Sequence, residues 1–424
     1  MSSAVQTAAR RFGAASASLR VRNYRLYFVG QSVSVAGTYM ASLAIAFLTL
    51  HLTGSGAALG VAAAARLLPF VLLGPLGGVI ADRYDKRRLL FLTQTGSAVG
   101  ALVFALLDWT GAITYPLVLG LSLVLGCLTV VDNPARQSLI ADLVDRDVLA
   151  NAVILNSVSL NVARVLGSAV GGALVTVIGT PVSFVLNAAS FGAVIVSLAR
   201  MRTDDIARPE RAPRARGQIR EGFRYALSTP ELAIPLGMLT LTGVLAYEFP
   251  TTLPLLATGT FHGTAATYGL LAAVMAGGAV VGGVAAAARP GRPTERSLAI
   301  TCIGWGAAIL LVGLAPSVWT ACVLLVLVGY GSITFNSTAK TALQLASKPE
   351  LRGRVMSLWA LVWGGGSVIG APLVGWVAEV LTPRWGLIVG GASTVLLGLV
   401  MLPHLHRRTV AAAARQRSAT DPAR

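Results

Sequence analysis

Residues 56–107 read GAALGVAAAARLLPFVLLGPLGGVIADRYDKRRLLFLTQTGSAVGALVFALL. Two apolar runs, 56–81 and 88–107, flank a short turn that gathers Asp82, Arg83, Asp85, Lys86, Arg87 and Arg88. Each run matches the ~20 residues that cross a bilayer as a helix. In hydrocarbon a chain must satisfy its own backbone hydrogen bonds, so the pair reads as a helical hairpin with its turn in water.

The same pattern fills the chain outward from this hairpin. Of 424 residues, 55% are hydrophobic and only 12% charged, a balance foreign to a soluble domain of this length. Candidate spans are 24–51, 56–81, 88–107, 114–133, 149–174 and 181–199, then 231–257, 266–288, 297–315, 318–338, 355–380 and 385–403. The reading is an all-α membrane protein of twelve transmembrane helices in two six-helix halves, 24–199 and 231–403. Residues 1–23 and 404–424 are cytoplasmic tails, and 200–230 is a polar linker holding eight arginines with Pro209, Pro213 and Pro230.

A formal charge of +17 would suit a nucleic-acid surface only if the bases formed one patch. They lie instead in small clusters between apolar runs. With a cytoplasmic N-terminus and twelve spans, all of the 34 Lys and Arg except Arg66, Arg164 and Arg384 fall on the cytoplasmic side. That is the positive-inside bias, and one span more or fewer would destroy it. The basic N-terminal segment reads as a retained tail, since no short apolar stretch with a cleavage site follows it. Cys127, Cys302 and Cys322 sit singly within apolar runs, so neither a disulfide framework nor a metal site is expected.

The halves repeat at an offset of 203 residues: Asn133 answers Asn336, Gly167 answers Gly370 and Gly172 answers Gly375. A duplicated six-helix unit is the build of a large class of transporters, whose substrates bind between the halves near the midplane.

The hairpin turn narrows the class. Gly78 to Leu90 resembles the G-x-L-A-D-R-x-G-R-K-x-x-L signature of the major facilitator superfamily, matching Gly78, Ala81, Asp82, Arg83, Arg87 and Leu90 and departing at Asp85. The resemblance implies that Gly78, Asp82, Arg83 and Arg87 form a conformational latch, with Asp82 and Arg83 closing the halves on the cytoplasmic side near Arg354. Lys86, Arg87 and Arg88 also serve to set topology. Further stretches resemble the branch that holds enterobactin-type siderophore exporters and macrolide or drug proton antiporters. These are Arg22-Asn-Tyr-Arg-Leu-Tyr-Phe28, Asp132-Asn-Pro-Ala-Arg-Gln137 with Leu149-Ala-Asn151, Leu253-Pro-Leu-Leu256, and Leu351-Arg-Gly-Arg-Val-Met-Ser357. An antiporter signature of the superfamily appears as Gly167-Ser-Ala-Val-Gly-Gly172 with serine in place of proline. It reads as a packing face toward Gly278, Gly282 and Gly283 of the eighth span.

Ionisable groups inside spans are costly and mark function. Glu248, the one carboxylate well within a span, is the first candidate for proton coupling, because a carboxyl held from water can exchange its proton during a transport cycle. The alternatives are a static ion pair with Arg66 or Arg164, or a solvated place at the outer mouth. Asp132, at the cytoplasmic end of the fourth span in what reads as a loop-capping element, is the second. Arg66 and Arg164 are candidates for an anionic substrate group. Gln31, Tyr39, Tyr247, Asn336, Trp359 and Trp363 are candidates for the remaining cavity wall, which suits bulky amphipathic ligands.

No phosphate loop or catalytic constellation is present, so neither an ATP-driven pump nor an enzyme is expected. The expectation is a monomeric secondary transporter of the bacterial inner membrane, without cofactor, exporting drugs, siderophores or natural products against protons. An importer or lysolipid flippase on the same fold, or a membrane sensor, stands as the alternative.

Overall fold

A computed structural model describes residues 17–202, 218–288, 295–349 and 351–420. Most of the 1–23 tail, much of the 200–230 linker, residues 289–294 and the last four residues of the 404–424 tail lie outside them.

Among the described residues twelve helical segments are long and apolar enough to cross a membrane, which makes the chain a multi-pass membrane protein. The first six spans are Arg22–Thr53, Gly56–Arg83, Lys86–Trp109, Tyr115–Leu143, Arg146–Ile178 and Thr180–Ala199. The last five are Ala265–Ala288, Glu295–Gly313, Val318–Ala346, Arg352–Val380 and Pro383–Thr420. The seventh is broken: Pro230–Leu245 stops, and Phe249–Leu255 resumes before a single wide turn, Leu256–Thr260. Large side chains such as Leu72, Leu76 and Val177 stand exposed on the helices, as a bilayer solvent requires. The turns joining spans one to two, three to four and five to six are closed by Gly54, Gly111 and Gly179, all at positive φ, where a Cβ would strain the chain.

The fourth and tenth helices run well past the apolar stretches read from the sequence, to Leu143 and Ala346. Asp132 therefore sits within a helix and not in a loop cap, and Pro134 is accommodated inside the same helix.

The chain packs as two compact units. One holds 1–53, 65–213 and 264–273; the other holds 54–64, 214–263 and 274–424. The start of the second span thus packs with the second unit, and the start of the eighth with the first.

Glycine sites show that the repeat extends to packing. In the first unit, a Cβ on Gly126 would strike the Arg66 carbonyl of the second span. In the second unit, Gly329 faces the Met275 carbonyl of the eighth in the same way. Gly167 of the fifth span lies on Ala36 of the first, and Gly370 of the eleventh on Val244 of the seventh. Gly269 packs on the Ser168 carbonyl, and Gly60 on that of Ala371. Such backbone-to-backbone crossings need residues without side chains. The packing face expected of Gly167 and Gly172 is present, but its eighth-span partners are Ala265 and Gly269. Gly278 and Gly282 instead meet Val326 and Tyr330 of the tenth span.

Candidate functional site

Two polar centres lie within the apolar helices, one in each unit. In the first unit, Asp132 is 5% exposed and fully engaged. It accepts hydrogen bonds from Thr93 Oγ1 at 2.8 Å and Gln94 Nε2 at 2.7 Å, both on the third span. It also pairs with Arg136, one helical turn further along its own span. A carboxylate taken from water needs this many donors, and the arginine supplies the opposite charge.

Beside this pair lies a cavity of about 230 Å³, lined by Gln31, Tyr39, Arg66, Gln94, Asp132 and Arg136 among others. Its apolar wall includes Phe104 and Phe184, stacked 5.0 Å apart. Arg164 stands behind Tyr39, donating from Nε to the phenol oxygen at 2.9 Å, its guanidinium 5.2 Å from the ring centre. Gln31, Tyr39, Arg66 and Arg164, read singly from sequence, thus belong to one neighbourhood.

In the second unit the break of the seventh span places Glu248. Pro250 has no N–H and its ring clashes with the carbonyl four residues back, so the helix cannot run through Ala246 to Phe249. Glu248 turns at φ −81°, ψ 33°, and its carbonyl restarts the helix by accepting from Thr251 and Thr252. The side chain is 3% exposed, with Ser367 of the eleventh span as hydrogen-bond neighbour. Among the described residues its Oε1 has no partner, and it presses on Gly370, where an added Cβ would come within 2.8 Å of it. No ion pair among the described residues includes Glu248.

Beside Glu248 in sequence, Tyr247 opens an aromatic cluster. Its hydroxyl donates to the Ser332 carbonyl at 3.2 Å, with Asn336 and Trp363 adjacent. Trp305 lies 4.5 Å from the Tyr247 ring, and Trp363 meets it edge-on at 6.5 Å. Trp363 stacks parallel on Trp359 at 6.0 Å, and Lys340 Nζ stands 4.7 Å above Trp359. Tyr247, Asn336, Trp359 and Trp363 are therefore neighbours. Sequence reading missed Trp305, Gln94 and Lys340. The first two were submerged in apolar runs, and Lys340 looked like a topology charge.

At the signature turn, Asp82 and Arg83 end the second span exposed, and Gly78 has open space over its Cα. Asp85 caps the third span through Arg88 N–H at 2.8 Å. Lys86 pairs with Asp142 of the fourth span. Arg87 donates to the Leu198 and Ala199 carbonyls at 2.7 and 3.4 Å, capping the end of the sixth. Among the described residues no group of three His, Cys, Asp or Glu is arranged to hold a metal ion.

Twelve spans in a duplicated pattern, a broken helix carrying a buried carboxyl, and polar centres enclosed by apolar helices fit a transporter of the major facilitator type. Residues 13–423 match the transmembrane secretion effector family, and the chain belongs to it. It is 26% identical over 340 residues to the enterobactin exporter EntS of Citrobacter koseri, covering 77% of this chain and 78% of that one. It is 25% identical over 260 residues to the staphyloferrin A transporter of Staphylococcus aureus, covering 61% of this chain and 65% of the relative, just under two thirds. The fold matches that of the nucleoside transporter NupG with a TM-score of 0.72 at 13% identity, over 91% of this chain and 98% of NupG. A bacterial homologue of the lysosomal transporter Spinster gives 0.71 at 16%, over 92% and 97%. These relatives and neighbours are membrane transporters, not enzymes.

Proposed function

We propose that this chain exports small amphipathic molecules across the bacterial inner membrane in exchange for protons, with Glu248 as the coupling carboxyl. The observation that carries the reading is the Glu248 side chain itself: buried, without a cationic partner among the described residues, and with one oxygen free to take a proton. A carboxylate left bare in an apolar interior is costly, while its protonated form is not, so protonation and movement of the broken span are linked. The alternative coupling group, Asp132, is already engaged by three donors on its two oxygens. The enterobactin exporter and the staphyloferrin A transporter among its relatives support export of small molecules.

The stacked Trp359 and Trp363, with Tyr247 and Asn336, offer flat apolar surface with few polar groups, suited to an amphipathic substrate. Gly78, Asp82, Arg83 and Arg87 act as the conformational latch, and the protein works as a monomer with both termini in the cytoplasm. Cysteines placed at 210 and 262 in a chain without its own three test that orientation: only 262 is labelled from outside, and labelling of 210 alone would reverse it.

The direct test of function is uptake into inside-out membrane vesicles, with enterobactin and ethidium as probes. Acidifying the vesicle interior is expected to drive accumulation of at least one probe, collapsed by a protonophore. Accumulation that ignores the proton gradient, or that runs only in right-side-out vesicles, contradicts proton-coupled export.

A further inference from the structure

Each compact unit contains a crossing between the end of one span and the start of another from the opposite half of the sequence, and the two crossings keep the same register. In the first unit the end of the fifth span meets the start of the eighth: Gly269 packs on the Ser168 carbonyl and Gly172 on that of Ala265. In the second the end of the eleventh meets the start of the second: Gly60 packs on the Ala371 carbonyl and Gly56 on that of Gly375. Ser168 and Ala371, like Gly172 and Gly375, are equivalents in the repeat, at its offset of 203 residues.

One helical turn further on, the repeat pairs Thr176 with Glu379, and here the crossings part chemically. Thr176 Oγ1 accepts from the Ala266 N–H at 2.8 Å and lies 3.4 Å from Thr264 Oγ1. Glu379 Oε2 accepts from the Ala57 N–H at 2.9 Å and from the Ser55 hydroxyl at 2.6 Å, with the Gly56 amide as a further neighbour. Ser55 in turn caps its own helix, accepting from the Ala58 N–H at 3.1 Å. Both side chains thus close the first turn of the span that crosses them, where a helix leaves N–H groups without partners of its own. A neutral hydroxyl suffices for that task at the first crossing. At the second a carboxylate faces the positive end of a 28-residue helix, an attraction that the threonine lacks.

We infer that Glu379 is a second latch of the transport cycle: its carboxylate clamps the start of the second span to the end of the eleventh, and lets go when the protein opens at that end. In a transporter whose halves rock about a central site, ends joined in one state part in the other. The signature turn with Asp82 closes the second span at its other end, so the two acids act on one lever in opposite senses. This role needs only a transporter of this class, whatever its direction or coupling ion.

The test is a spin-label distance measurement on the full chain, freed of its own three cysteines, in nanodiscs without substrate or gradient. One pair of labels, at positions 51 and 381, spans the clamped ends, and a second, at 84 and 345, spans the opposite ends; all four positions are exposed. Glu379→Thr, which installs the residue of the other crossing, is expected to raise the fraction of molecules open at the first pair about fivefold, the scale of losing a charged cap. The second pair is expected to close in step. Glu379→Gln is expected to shift the same way by less, because its amide oxygen still accepts. Thr176→Glu adds a charged cap to the first crossing and is expected to lower the open fraction about fivefold. Unchanged populations in Glu379→Thr overturn the latch, and so does opening at the first pair with no closure at the second, which is local fraying. Should Glu379→Thr fail to fold, unchanged populations in both Glu379→Gln and Thr176→Glu overturn it equally. Because neither substrate nor gradient is present, a protein whose populations shift as expected but that never accumulates probes would contradict proton-coupled export alone.

Discussion

Two buried carboxyls of similar exposure have opposite surroundings. Asp132 is tied by Thr93, Gln94 and Arg136, and Glu248 keeps one bare oxygen. Removing the charge of Asp132 leaves the partly buried Arg136 without its ion-pair partner, a loss bounded above by the about 3–5 kcal/mol that deleting one member of a fully buried pair costs. Asp132→Asn is therefore expected to lower folded yield and melting temperature in detergent, and Arg136→Gln to do the same. The double variant is expected to recover most of the loss, and a double variant as unstable as the sum of the two would contradict the pairing. Both acids were visible in the sequence as charges in apolar surroundings. Their division of labour was not, because Thr93 and Gln94 lie some forty residues upstream and look like ordinary polar residues of a span.

At the scale of elements, spans were legible where apolar length marks them, and less so where helices outrun the bilayer. The fourth and tenth continue to Leu143 and Ala346 because their polar ends find partners: Asp142 pairs with Lys86, and Leu139 and Leu343 remain buried. The broken seventh span could be suspected from Pro250 and Pro254, but the exact gap depends on Glu248 and Thr242 taking up the freed hydrogen bonds. Two stretches that carried the family resemblance prove to be joined: the Tyr24 hydroxyl donates to the Ala152 carbonyl at 2.7 Å, and Asn151 Oδ1 accepts from Ser18 N–H and Oγ. Asn23 exchanges two hydrogen bonds with the Arg202 backbone. They bind neighbouring ends of first-unit helices together, a scaffold role that motif matching alone does not distinguish from a substrate role. Within the signature turn, Arg87 caps the sixth span while Asp82 lies exposed, so the two are expected to behave differently on mutation. Asp82→Asn is expected to leave the melting temperature within a degree or two of the parent while slowing transport severalfold; Arg87→Gln is expected to lower stability as well. A stable Asp82→Asn protein with unchanged transport rates would remove Asp82 from the latch.

Across the whole molecule the repeat governs backbone packing but not charge. The crossings at Gly126 and Gly329, Gly167 and Gly370, and Gly60 and Gly269 recur in both units. Yet the Asp132–Arg136 pair and Arg66 belong to the first unit and Glu248 to the second. Duplication supplied the scaffold, and departures from the repeat mark where substrate and proton chemistry are proposed to reside. The most direct measurement of that account is Glu248→Gln in sealed, reconstituted vesicles, with proton-driven accumulation and gradient-free exchange assayed on the same preparation. Glutamine keeps the shape of the protonated carboxyl, and because Oε1 has no partner to lose, the variant is expected to fold like the parent. Exchange is expected to continue while an imposed proton gradient no longer drives uphill movement. Accumulation by the Gln variant at the parental level would contradict the assignment of proton coupling to Glu248.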